Sequence, residues 1–162
     1  MKRIFLIFAL LLCIALYACS AKPKYRDDID CEDILKGAPL LERSADDYGT
    51  YDKDYVSFFF GDTLSFDGHT ILYSKEQNDI NEVGVFHAPD ESTLEKMHAS
   101  VTKYISEMQS TQRAFIASYA PEELSKLEGA QVRVYGNYVI YAILPTNDAE
   151  ALFAHVEQVL KK

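Results

Sequence analysis

Leu94, Met97, Val101, Tyr104, Ile105, Met108, Phe115 and Tyr119 recur mainly at spacings of three, four and seven. That rhythm puts them on one stripe of a helix with about 3.6 residues per turn. Glu107, Gln109, Ser110 and Arg113 fall elsewhere around it. A long helix with a single apolar face must cover another element, and this requirement constrains the fold more than any other feature of the chain. Ser92-Thr93-Leu94-Glu95 has the form of a capping box, and Asp90 competes as the N-terminal cap. Pro121 ends the pattern by Ala120, because the residue before proline is pushed out of the helical region. The same proline suits the first turn of a short helix, Pro121 to Leu127, with Gly129 as its stop.

Strands supply the surface to be covered. Tyr55 to Phe60 is aromatic and β-branched and stops at Gly61-Asp62, which predicts a strand. Thr70 to Tyr73 and Val83 to Phe86 are two more. Gln131 to Tyr135 alternates polar and apolar residues, Gly136-Asn137 makes a tight turn, and Tyr138 to Leu144 is an apolar run. These three pieces predict a hairpin whose second strand is central, since it is apolar on both faces. After Asn147 to Glu150, Ala149, Leu152, Phe153, Val156 and Leu160 define a last helix. A short helix is expected from Asp30 to Lys36, and loop from Glu42 to Asp54. The expectation is an α+β fold. It is a two-layer sandwich with a mostly antiparallel sheet of about five strands against two longer helices, in the order β-β-β-α-α-β-β-α.

The N-terminus has a different character. Met1-Lys2-Arg3 precedes Ile4 to Leu16, an uncharged run of 13 residues. A bilayer span takes about 20 apolar residues, so this run has the size of a signal-peptide core. Leu16-Tyr17-Ala18-Cys19 resembles the lipobox of bacterial lipoproteins, with Tyr17 standing where a small residue is usual. The resemblance implies lipid on Cys19 and cleavage before it. Residues 1–18 are therefore expected to be a lipoprotein signal peptide, 19–28 a polar tether, and 29–162 a single domain. Removing residues 1–18 takes away Lys2 and Arg3 and no acid, so the net charge moves from −9 to −11. Such a chain is not expected to bind nucleic acid, which selects basic faces. Its attachment to the membrane would come from the lipid on Cys19, on the extracytoplasmic side of the cell membrane.

Four stretches resemble the domain of unknown function (DUF) 4358 family. They are Glu82-Val83-Gly84-Val85-Phe86, the long helix, Tyr119-Ala120-Pro121-Glu122-Glu123, and Val132-Arg133-Val134-Tyr135-Gly136-Asn137-Tyr138-Val139. The resemblance spans roughly residues 30 to 145 and implies the fold and an envelope location. It carries no assigned activity and hence no catalytic residue.

Chemistry is sparse in the residues themselves. Asp27, Asp28, Asp30, Glu32 and Asp33 lack the spacing and the internal glycine of a calcium loop. Asp46, Asp47, Asp52 and Asp54 surround Gly49 irregularly. Glu95 and His98 have Glu-x-x-His spacing without the second pair a di-iron bundle requires. His69, His87 and His155 belong to no motif. No nucleophile elbow, phosphate loop or Cys-x-x-Cys occurs. Cys31, the one thiol left beyond Cys19, is expected to be a semi-buried packing residue. Catalytic, cofactor and metal residues are thus expected to be none. The expected function is a lipid-anchored envelope protein with a non-enzymatic binding domain for a protein or wall ligand. The alternative is an envelope enzyme or inhibitor with a site assembled from distant residues. The sheet face opposite the helices, with Tyr135, Tyr138 and Tyr141 along the hairpin, is the first place to look for recognition.

Overall fold

A computed structural model of the chain describes residues 25–60 and 67–162. The expected signal peptide and Cys19 lie outside the described residues. The elements are α1 (Cys31–Leu35), α2 (Pro39–Ser44), β1 (Tyr48–Thr50), α3 (Lys53–Phe60), β2 (Gly68–Ser74), β3 (Glu82–His87), α4 (Glu91–Thr111), α5 (Arg113–Tyr119), α6 (Leu124–Glu128), β4 (Gln131–Tyr135), β5 (Tyr138–Ile143) and α7 (Thr146–Leu160). Short 3₁₀ turns at Ala45–Asp47 and Pro121–Glu123 join neighbours.

The five strands form one open sheet in the order β1-β2-β3-β5-β4, and every pairing is antiparallel. The fold is α+β, as the alternation of strand and helix signals requires. All six residues of β5 are buried, which agrees with its apolar sequence and its place between β3 and β4. Gly136 adopts φ +58 in the two-residue turn before it, a conformation that favours glycine.

One feature differs from the expected layering: both faces of the sheet are covered. Val83, Val85, Ile140 and Ala142 point to one side, where Leu152, Phe153 and Val156 of α7 and Ile34 of α1 meet them. Ile71, Phe86, Val139 and Tyr141 point to the other side, against Met97, Val101 and Tyr104 of α4 and Val56 and Phe60 of α3. The two long helices therefore sit on opposite faces, and among the described residues each sheet face carries a helix. The reason is visible in β3 and β5, whose apolar residues leave no polar side to hydrate.

Four local expectations are also corrected. Tyr55 to Phe60 is helical, not a strand. Asp52 Oδ1 accepts from the Tyr55 amide at 3.0 Å and starts the helix, and Val56 and Phe60, one turn apart, face the core. The first strand lies earlier, at Tyr48–Thr50, inside a stretch read as loop, and α2 occupies the start of that stretch. The long helix is capped by Asp90, whose Oδ1 accepts from the Thr93 amide at 2.7 Å; Ser92 is exposed inside the first turn. Gln112 interrupts the stripe, and beyond it Ile116 is buried while Phe115 and Tyr119 face solvent.

Candidate functional site

Among the described residues Glu82 is the one carboxylate in the buried core, 6% exposed at the start of β3. Burying a carboxylate costs several kcal/mol unless hydrogen bonds replace its water. Two phenols do so here. Tyr104 of α4 donates its hydroxyl to Glu82 Oε1 at 2.8 Å, and Tyr141 of β5 donates to the same oxygen at 2.6 Å. The Tyr55 hydroxyl of α3 lies 3.4 Å from that of Tyr104, extending the chain of hydroxyls toward the surface. Burial pushes the Glu82 pKa up, and the bonds from Tyr141 and Tyr104 pull against it. Burial, with the Glu82 charge, also pushes Tyr104 and Tyr141 above the ordinary phenol range, so both remain proton donors at neutral pH.

Two glycines make this geometry possible. Gly84 pairs with Tyr141, and a Cβ on Gly84 would lie 2.0 Å from Tyr141 Cε1. The Tyr141 ring thus lies across the bare backbone of β3 to reach Glu82. Gly49 on β1 pairs with Tyr73 in the same manner, its missing Cβ lying 2.6 Å from Tyr73 Cζ. Tyr73 then stacks on Tyr51 with centroids 4.2 Å apart, and Tyr51 on Tyr55 at 3.5 Å. The result is an aromatic wall running from the sheet onto α3.

This wall, Tyr104, Met108 and the β2–β3 loop enclose a cleft of about 250 Å³ with Glu82 inside it. The loop is fixed by a second polar cluster. Lys126 Nζ of α6 meets Asp79 Oδ1 at 2.8 Å and Glu123 Oε2 at 2.6 Å, with all three side chains mostly buried. Glu123 Oε2 also accepts from the Ile80 amide at 3.1 Å, and Asp79 Oδ1 from the Asn81 amide at 3.0 Å. Burial lowers the Lys126 pKa, but the bonds to Asp79 and Glu123 outweigh it and the net shift is upward, so the cation persists. Asn81 Nδ2 donates to Tyr48 Oη at 3.3 Å, while its buried Oδ1 has no partner among the described residues.

The sequence-level candidates lie elsewhere. Glu95 and His98 are both exposed on α4. The N-terminal acids are spread over separate tasks: Asp27 meets His87 Nε2 at 2.8 Å and Asn137 Nδ2 at 3.0 Å, Asp28 pairs with Arg26, and Asp33 with Lys36. Tyr25 bridges to Lys161, and Tyr138 Oη donates to the Ile29 carbonyl at 2.8 Å, so residues 25–29 lie against the domain. His155 Nε2 is 3.0 Å from the Ile34 carbonyl. Cys31 is buried, and desolvation pushes its thiol up to about 12, which keeps it protonated and unreactive. Among the described residues no group of three or more His, Cys, Asp and Glu is placed to hold a metal, and no helix is long and apolar enough to cross a membrane. Tyr135, Tyr138 and Tyr141 are buried, not displayed.

The sequence reading missed Glu82 as a site residue. The only signal for it was a lone acid opening an otherwise apolar strand, beside Gly84.

Fold and site together define an α+β domain with a double-covered antiparallel sheet and one carboxylate cleft at its β1–β2–β3 edge. The chain belongs to the family described as "Domain of unknown function (DUF4358)", whose model matches residues 62–144, just over half of the sequence. The match contains Glu82, Tyr104, Tyr141 and the Asp79–Lys126–Glu123 cluster, whereas Tyr51 and Tyr55 come from outside it. No curated protein and no solved structure matches the chain.

Proposed function

We propose that this chain is a bacterial lipoprotein, held by lipid on Cys19 at the extracytoplasmic face of the cell membrane, whose domain binds a ligand without transforming it. The anchor rests on the basic start, the 13-residue apolar run and Leu16-Tyr17-Ala18-Cys19. Two or more acyl chains give stable attachment, where one is marginal. A net charge of −11 beyond residue 18 leaves the lipid as the means of attachment.

The observation that carries the binding role is the cleft over Glu82. Its polar groups are fixed in advance by Tyr104, Tyr141 and the Lys126 cluster, which is what a recognition site requires. A paired general acid and base need a second group free to exchange a proton with the reacting atom. Here Asp79, the other carboxylate at the cleft, is committed to Lys126, and the phenols are held neutral.

The reading is tested on cells producing the full-length protein. Labelled palmitate should enter it, globomycin should block its processing, and Cys19→Ala should leave the membrane fraction. Cleaved Cys19→Ala protein that still sediments with membranes would refute the anchor. Native mass spectrometry of the detergent-extracted protein should show a bound small mass that Glu82→Gln lacks. Identical spectra for the two would remove the cleft from the account.

A further inference from the structure

We propose that the cleft over Glu82 binds the ammonium group of a small aliphatic amine, either free or at the tip of a lysine side chain. The inference rests on the cleft being the binding site.

The polar groups of the cleft are unequally matched. Glu82 Oε1 takes both phenol donors, and Oε2 takes no hydrogen bond from any described residue. A carboxylate taken mostly out of water with one oxygen left bare is costly. A ligand that restores the balance must bring N–H or O–H donors. Charge then selects among donors. None of the described residues lining the cleft is basic, and the nearby Lys126 is neutralised by Asp79 and Glu123. A carboxylate or phosphate would meet an ionised Glu82 with no counter-charge, whereas an ammonium favours the ionised carboxylate and pairs with it.

Shape and surface agree. An ammonium has three donors around one point and can donate to Glu82 Oε2. The phenol rings of Tyr104 and Tyr55 beside it favour a cation over an anion. Met108 and Ile80 offer apolar surface for a short alkyl chain. A volume of about 250 Å³ admits a small molecule or one side chain, and is below the roughly 300–1,000 Å³ of pockets for larger ligands.

The test uses the full-length lipidated protein in detergent, with tyrosine ring resonances followed by NMR. Four probes are titrated: n-butylammonium, its neutral counterpart 1-butanol, butyrate, and the capped peptide acetyl-Gly-Lys-Gly-amide. n-Butylammonium or the lysine peptide should saturate with a Kd on the order of 1 mM or tighter and shift Tyr55 and Tyr104. Whichever of these two binds tighter identifies a free amine or a peptide lysine as the source. Glu82→Gln should weaken the amine at least tenfold; if that variant does not fold, Tyr55→Leu, which removes a ring lining the cleft, should weaken it several-fold. Equal or tighter binding of 1-butanol or butyrate at the same tyrosines would overturn the ammonium assignment and leave the cleft a binding site. If no probe of any charge moves Tyr55 and Tyr104, both the assignment and the cleft as a binding site fail.

Discussion

Gly84 and Tyr141 are cross-strand partners on β3 and β5, and the Tyr141 ring occupies the space a Cβ on Gly84 would need. That single relationship lets the phenol reach Glu82, two residues further along β3, at 2.6 Å. Side chains on one face of a strand are two residues apart, so Glu82 and Gly84 share the face that α4 covers.

Gly84→Ala is therefore expected to destabilise the domain by about 2–3 kcal/mol, through overpacking and the loss of the Tyr141 bond. Urea denaturation measures the loss, and displaced Tyr141 ring resonances locate it. Unchanged stability would mean that the ring does not lie across β3.

The two phenols serve one carboxylate oxygen, so their removal should not be additive. Tyr104→Phe and Tyr141→Phe should each cost about 1–3 kcal/mol, as expected when a donor to a charged group is lost. The double variant should depart from the sum by at least about 0.5 kcal/mol. Tyr55→Phe, one hydroxyl further out, should cost less than either. A double-mutant cycle that closes without coupling would contradict the shared oxygen.

Lys126 holds the β2–β3 loop through Asp79 and Glu123. Lys126→Met keeps the length of the side chain but leaves two mostly buried carboxylates without a cation. A loss on the order of 2 kcal/mol is expected. Hydrogen exchange should quicken at the Ile80 and Asn81 amides, whose acceptors are Glu123 and Asp79, while the α7 amides stay protected. Uniform acceleration across the chain would show that the cluster does not act locally.

Much of this architecture is legible in the sequence wherever burial follows a simple period. The apolar face of α7 is buried residue for residue, and β2 to β5 lie where alternation and turn residues put them. What escaped depends on distant partners. Tyr48–Thr50 is a three-residue edge strand whose only qualification is its pairing with β2. Phe58, Phe59 and Phe60 read as strand by residue type, yet Asp52 starts a helix there that Val56 and Phe60 dock onto α4. Placing the long helices on opposite faces required knowing that β3 and β5 are neighbours, which no local pattern states. Glu82 escaped for the same reason: its donors lie 22 and 59 residues away.

The account turns on Glu82 being an ionisable carboxylate desolvated within an aromatic cleft. Its pKa is raised on folding, so the folded state holds its proton to higher pH than the unfolded state does. Stability should then fall as pH rises from about 4.5 through the folded-state value, and this component should vanish in Glu82→Gln. The most direct measurement is a pH titration of the ¹³C-labelled Glu82 side-chain carboxyl, assigned by its absence in Glu82→Gln. A midpoint above 4.5, with coincident shifts at Tyr104 and Tyr141, is the expected result. A midpoint at or below 4.5 would contradict it, because it would describe a solvated surface glutamate and no buried cleft.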